Sequence, residues 1–120
     1  DVNKLLDINH KNEYFNIVSI FFPDPWPKKK HYKRRLFNND FLFKLHKYMK
    51  KDAIIYISTD SQSYNFQIIK TVYFARDLFK WVNQEETHLS IKDYLNIETK
   101  FYKKAIFAGK KPSLFILKKI

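Results

Sequence analysis

Two apolar runs limit the fold more than any other feature of this chain. "FNIVSIFF", residues 15 to 22, and "AIIYIS", residues 53 to 58, are rich in β-branched and aromatic residues with almost no polar interruption. A strand with one wet face alternates; a strand covered on both faces does not, and such strands are typical of parallel sheets. Between the runs the period changes. Phe41, Leu42, Leu45, Tyr48 and Met49 recur at helical spacing, with Asn38 or Asn39 placed to cap the start and Lys47, Lys50 and Lys51 near the negative end of the dipole. A second helical stretch puts Tyr64, Ile68, Val72, Ala75 and Phe79 on one face. "FKWVN", residues 79 to 83, overlaps that helix end and also reads as a strand; "SLFILKK", residues 113 to 119, reads as a final strand. Residues 84 to 98 are polar and loop-like, residues 99 to 108 read as a short helix closed by Gly109, and residues 2 to 8 form a short amphipathic segment. Strand, helix, strand, helix and two late strands predict an α/β fold with a largely parallel sheet.

At 120 residues, 45% hydrophobic and 18% aromatic, the chain can bury the core of one modest domain. Its net charge of +11 points to a polyanionic partner, nucleic acid first and an anionic membrane surface second. The absence of cysteine excludes disulfides and thiolate metal sites and allows a cytoplasmic location. His10, His31, His46 and His88 are scattered without ligand spacing, so no metal site is expected. No apolar run approaches the ~20 residues that span a bilayer.

The first apolar run leads directly into "PDPWPKKKHYKRR", residues 23 to 35. Pro23, Pro25 and Pro27 restrict Asp24 and Trp26, so ordering entropy is spent before any ligand arrives. Six cations follow: Lys28, Lys29, Lys30, Lys33, Arg34 and Arg35. The plain alternatives are a rigid turn and a solvated surface. Yet ligands of open α/β sheets bind beyond the carboxyl ends of strands. Asp24 follows the first predicted strand and Asp60 the second, though Asp60 also suits a helix N-cap. Trp26 reads either as a stacking surface or as a buried anchor.

"FFPDPWPKKKHYKRR" resembles the signature of the bacterial tRNA (guanine-N7-)-methyltransferases, which are class I enzymes using S-adenosylmethionine. "STD", residues 58 to 60, and "TKFYKKAIFAGKKP", residues 99 to 112, resemble further motifs of that family in the same order. The resemblance implies a cytoplasmic enzyme acting on tRNA, with Asp24 serving catalysis and the cofactor and Asp1 matching an acid on the adenine side. It implies substrate contacts at Lys28, Asp60, Thr99, Lys100, Phe101 and Tyr102, although the family usually has glutamate where Tyr102 stands. It also implies an RNA-interacting stretch of Lys30, His31, Tyr32, Lys33, Arg34 and Arg35. The chemistry agrees with these residue types. Guanine N7 carries a lone pair and no proton, so methylation needs positioning and charge stabilisation rather than a base acting at N7.

A class I methyltransferase begins with a strand, a glycine-rich turn and a ribose-binding acid. This chain opens on Asp1 and has one glycine, Gly109. The expected architecture is therefore the C-terminal half of a Rossmann-like class I methyltransferase sheet, about four strands with flanking helices. Residues 1 to 120 would be a partial domain without its N-terminal cofactor-binding half, which is an expected partner if supplied as a separate chain. Three readings fit: a portion of the enzyme active only with that half, a non-catalytic basic RNA-binding module, and an inactive gene fragment.

Overall fold

The computed structural model describes residues 14–84 and 112–120. Their order is β1 (Phe15–Phe21), a 3₁₀ helix (Lys29–Arg34), α1 (Asn39–Tyr48), β2 (Met49–Thr59), α2 (Gln62–Phe74), β3 (Phe79–Trp81) and β4 (Ser113–Lys119). The result is a mixed α/β fold, a four-stranded sheet with two α-helices, consistent with part of a Rossmann-like methyltransferase fold. The sheet order is β1-β2-β4-β3.

The sheet is less parallel than the apolar runs imply. β1 pairs parallel with β2, but β4 pairs antiparallel with both β2 and β3. β3 thus shares the direction of β1 and β2, and β4 runs against all three. Apolar periodicity identifies a strand but not its neighbours, so a reversed strand inserted between two others leaves no local trace.

The alternation of β2 and β4 sorts their side chains onto two faces. Ile55 and Ile57 stand beside Leu117 and Phe115 in the register. On this face they join Leu42 and Leu45 of α1 and Tyr64, Ile68 and Val72 of α2 in the main core. Leu114 and Ile116 form a smaller cluster with half-buried Phe21, Phe22, Ile54 and Tyr56. β1 departs from the expectation of cover on both faces. It lies at one margin of the described sheet, and Ile17 is 63% exposed.

Local chemistry fixes the element ends. Asn38 caps α1, its side chain accepting the Phe41 N–H at 2.9 Å, while Asn39 reaches across to donate to the Thr71 carbonyl. At the other end the buried Lys119 ammonium donates to the His46 and Met49 carbonyls, placing a cation where the helix dipole is negative. Residues 50 to 53 have no partner in the β1 ladder, with Asp52 in the left-handed region at φ 64°, so regular pairing resumes only at Ile54. The α2 cap is Ser61, whose Oγ accepts the Tyr64 N–H, and not Asp60. Phe79 belongs to β3 rather than to the face of α2, because α2 ends at Phe74.

Candidate functional site

The parallel ladder brings the two predicted acids to one end of the sheet. Phe21 stands opposite Ser58, and the Phe22 N–H extends the ladder by donating to the Ser58 carbonyl at 2.8 Å. Asp24 lies three residues beyond Phe21 and Asp60 two beyond Ser58, so both follow carboxyl ends of adjacent parallel strands. Asp24 is exposed and Asp60 is half-buried.

The loop between β1 and the 3₁₀ helix is strained. Phe22 and Trp26 have φ of 52° and 41°, left-handed values that cost a bulky residue about 1–3 kcal/mol each. Each also precedes a proline, which favours extended backbone instead. Local bonds hold the loop there. Asp24 Oδ1 accepts the Trp26 N–H at 3.0 Å, which fixes the carboxylate rotamer and turns the chain. The Pro25 carbonyl accepts from Arg35 Nε at 2.7 Å. The Trp26 ring meets the His31 ring edge-on at 5.7 Å and has the Arg34 guanidinium 5.1 Å from its centroid. Trp26 is therefore half-buried and engaged by its own loop, which favours the anchor over the stacking surface.

The basic run divides by direction. Lys28, Lys29, Lys30, Lys33 and Arg34 are exposed, His31 and Tyr32 are half-buried, and Arg35 is 1% exposed. A 3₁₀ helix repeats every three residues, so Tyr32 and Arg35 fall on one side, and the Arg35 guanidinium lies 3.7 Å over the Tyr32 ring. The resemblance placed Arg35 among the RNA contacts; the structure puts its side chain inside the fold.

The sequence reading missed the receptor for that arginine. Ser63, Tyr64 and Gln67, from the first turns of α2, surround it. The i, i+4 spacing of Ser63 and Gln67 was the available signal, two polar residues on one side of a helix that otherwise faces the core. Tyr64 is fully buried, and its hydroxyl accepts the Phe37 N–H at 2.9 Å. Burial holds its phenol above the usual value of 10.0; the Phe37 hydrogen bond and the Arg35 charge oppose that rise, and the Asp24 charge adds to it. The Arg35 guanidinium lies 4.9 Å from the centroid of that ring. Asp1, Thr99, Lys100, Phe101 and Tyr102 lie outside the described residues.

Among the described residues no cluster of His, Asp or Glu is arranged to hold a metal ion, and no helix is long and apolar enough to cross a membrane. A cavity of about 520 Å³ is lined by residues including Ile69, Val72, Tyr73 and Trp81, none of them from the proline loop.

A partial Rossmann-like sheet with an acid loop at its carboxyl end is an arrangement of class I methyltransferases. A family model described as "Putative methyltransferase" matches residues 1–113. The tRNA (guanine-N(7)-)-methyltransferase of Buchnera aphidicola subsp. Acyrthosiphon pisum is 44% identical over 105 residues, 85% of this chain and 43% of that protein. Proteins of the same name from Mycoplasma pneumoniae and Nitrosomonas europaea are 33% identical over 121 residues and 31% identical over 109. These two alignments take in 96% and 91% of this chain and 58% and 47% of the relatives, so the chain spans about half the length of the curated relatives it matches. The chain belongs to the tRNA (guanine-N7-)-methyltransferase family.

Proposed function

We propose that this chain forms the acid-bearing and RNA-facing portion of an enzyme that methylates guanine N7 in tRNA with S-adenosylmethionine, acting together with an N-terminal portion that carries the glycine-rich cofactor turn. The observation that carries the reading is Asp24: an exposed carboxylate, held by a strained loop at the carboxyl end of a parallel strand pair, with a row of exposed cations directly behind it.

Among the described residues, Asp24 is the group whose chemistry fits the cationic donor, since one oxygen is fixed by the Trp26 N–H and the carboxylate remains exposed. The bound cofactor supplies the methyl group. Asp24 offers a fixed negative charge close to where the purine becomes positive, an electrostatic contribution requiring little reorganisation. A carboxylate also accepts the N–H groups on the Watson–Crick edge of guanine, so Asp24 and Asp60 can orient the base. Lys28 stands four residues from Asp24 and is assigned to the base; Lys29, Lys30, Lys33 and Arg34 are assigned to phosphates, supplying affinity and register with little sequence choice. Thr99, Lys100, Phe101 and Tyr102 complete the proposed substrate contacts, and Asp1 the cofactor side.

The test uses this chain joined to the N-terminal portion of a relative, with tRNA and S-adenosylmethionine. Asp24→Asn should reduce single-turnover transfer by about 10²–10³-fold, the loss of one preorganised electrostatic contact, with tRNA affinity nearly unchanged. An unaltered rate would return Asp24 to a loop-shaping role alone.

A further inference from the structure

Arg35 closes the basic run, yet its side chain has almost no bonding capacity left for RNA. Nε donates to the Pro25 carbonyl at 2.7 Å, Nη2 to Ser63 Oγ at 2.6 Å, and Nη1 to Gln67 Oε1 at 3.0 Å and, more distantly, to the Ser63 carbonyl at 3.4 Å. A guanidinium has five N–H donors and no acceptor, so these contacts leave little over. Tyr32 covers it at 3.7 Å, and the Tyr64 ring centroid lies 4.9 Å away. The oxygens that receive the Arg35 guanidinium, from Pro25, Ser63 and Gln67, are all neutral. Hydrogen bonds and ring faces accommodate the buried charge. A phosphate would have to displace Tyr32 or break those bonds.

The identity of the acceptors gives the burial a purpose. Pro25 sits between Asp24 and the left-handed Trp26, while Ser63 and Gln67 lie on α2. One guanidinium therefore joins the strained loop to the helix that follows β2. Its own backbone is anchored as well. The Arg35 carbonyl accepts from Asn38 Nδ2, Gln67 Nε2 donates to the Phe37 carbonyl, and Tyr64 Oη accepts the Phe37 N–H. Gln67 uses both ends of its amide, bonding the guanidinium with one and the segment that follows Arg35 with the other.

We propose that Arg35 is a positioning residue and not a phosphate contact: it pins the Pro25 carbonyl to α2 and so holds the Asp24–Trp26 turn in its strained shape. The consequence for methyl transfer rests on the function proposed above; the clamp itself does not. Lysine cannot replace it, because a single ammonium lacks the planar fork that reaches Pro25, Ser63 and Gln67 together.

The experiment uses the 120-residue chain with Trp81→Phe, which leaves Trp26 as the sole indole. Acrylamide quenching of Trp26 fluorescence and tRNA filter binding across a salt series are measured in this background, with Arg35→Met, and with Ser63→Ala plus Gln67→Met. The paired variant retains the Arg35 charge while removing two acceptors, and it carries the test if Arg35→Met does not fold. Both variants should raise the quenching constant by about twofold, because a loop without its anchor opens locally to solvent. Both should leave the slope of log affinity against log salt unchanged. A real phosphate contact would instead take about 0.7–0.9 from the slope in Arg35→Met. That loss of slope, or unchanged quenching in the folded variants, would overturn the proposal. If the background protein shows no salt-dependent tRNA binding, the functional reading fails, and the quenching arm still decides on the clamp.

Discussion

Removing a single oxygen at Tyr64 tests the packing beneath the site. Tyr64→Phe keeps the ring that fills the core and lies near Arg35, so it opens little space. It removes the acceptor of the Phe37 N–H, whose residue is 0% exposed. A buried donor left unpaired costs about 1–3 kcal/mol. The phenol also titrates, and its pKa is raised chiefly by burial. The neutral form is thus favoured in the folded state relative to the unfolded one. This contribution is fully present below the ordinary value of 10.0 and is lost as pH rises through the higher folded value. Phenylalanine does not ionise, and the other tyrosines titrate in both proteins, largely cancelling in a difference. Urea unfolding of parent and variant at neutral pH and near pH 11 is the assay. The variant should be about 1–3 kcal/mol weaker at neutral pH, and the gap should narrow at high pH. Equal stability at neutral pH, or a gap independent of pH, would show that the buried hydroxyl makes no such contribution.

Further outcomes follow from the same structure. Replacing Lys29, Lys30, Lys33 and Arg34 with glutamine should flatten the salt dependence of tRNA binding by about 0.7–0.9 per lost contact and weaken binding to any tRNA by a similar factor; coincident slopes would make the run a solvated surface. Calorimetry on the chain alone should find weak or absent S-adenosylmethionine binding, because its one glycine, Gly109, cannot build the glycine-rich turn; micromolar affinity would contradict this. Asn38→Ala should cost about 1 kcal/mol in urea unfolding through loss of the α1 cap; no change would mean that the neighbouring Asn39 takes over.

The fold was legible where a local signal sufficed. Continuous apolar runs located β1, β2 and β4, and helical spacing located α1 and α2. Pairing was not legible, because the reversed β4 between β2 and β3 is set by long-range geometry. β1 misled for a related reason: its composition is that of a covered strand, yet Ile17 is exposed at the margin of the described sheet. At the site, the carboxyl-end placement of Asp24 and Asp60 followed from strand order alone, and the structure agrees. The direction of each cation did not follow. Six Lys and Arg side chains look alike in a sequence, and only the threefold repeat of the 3₁₀ helix, with Tyr32 and Arg35 on one side, separates the inward arginine from the outward ones.

Locating the transferred methyl group tests the proposed function at its product. The chain joined to a relative's N-terminal portion is incubated with tRNA and S-adenosylmethionine, and the product is treated to cleave the strand chemically at N7-methylguanosine. Cleavage at a guanosine is expected with the parent protein and its loss with Asp24→Asn, with tRNA binding retained by both. Absence of cleavage with the parent, or equal cleavage with Asp24→Asn, would contradict that function.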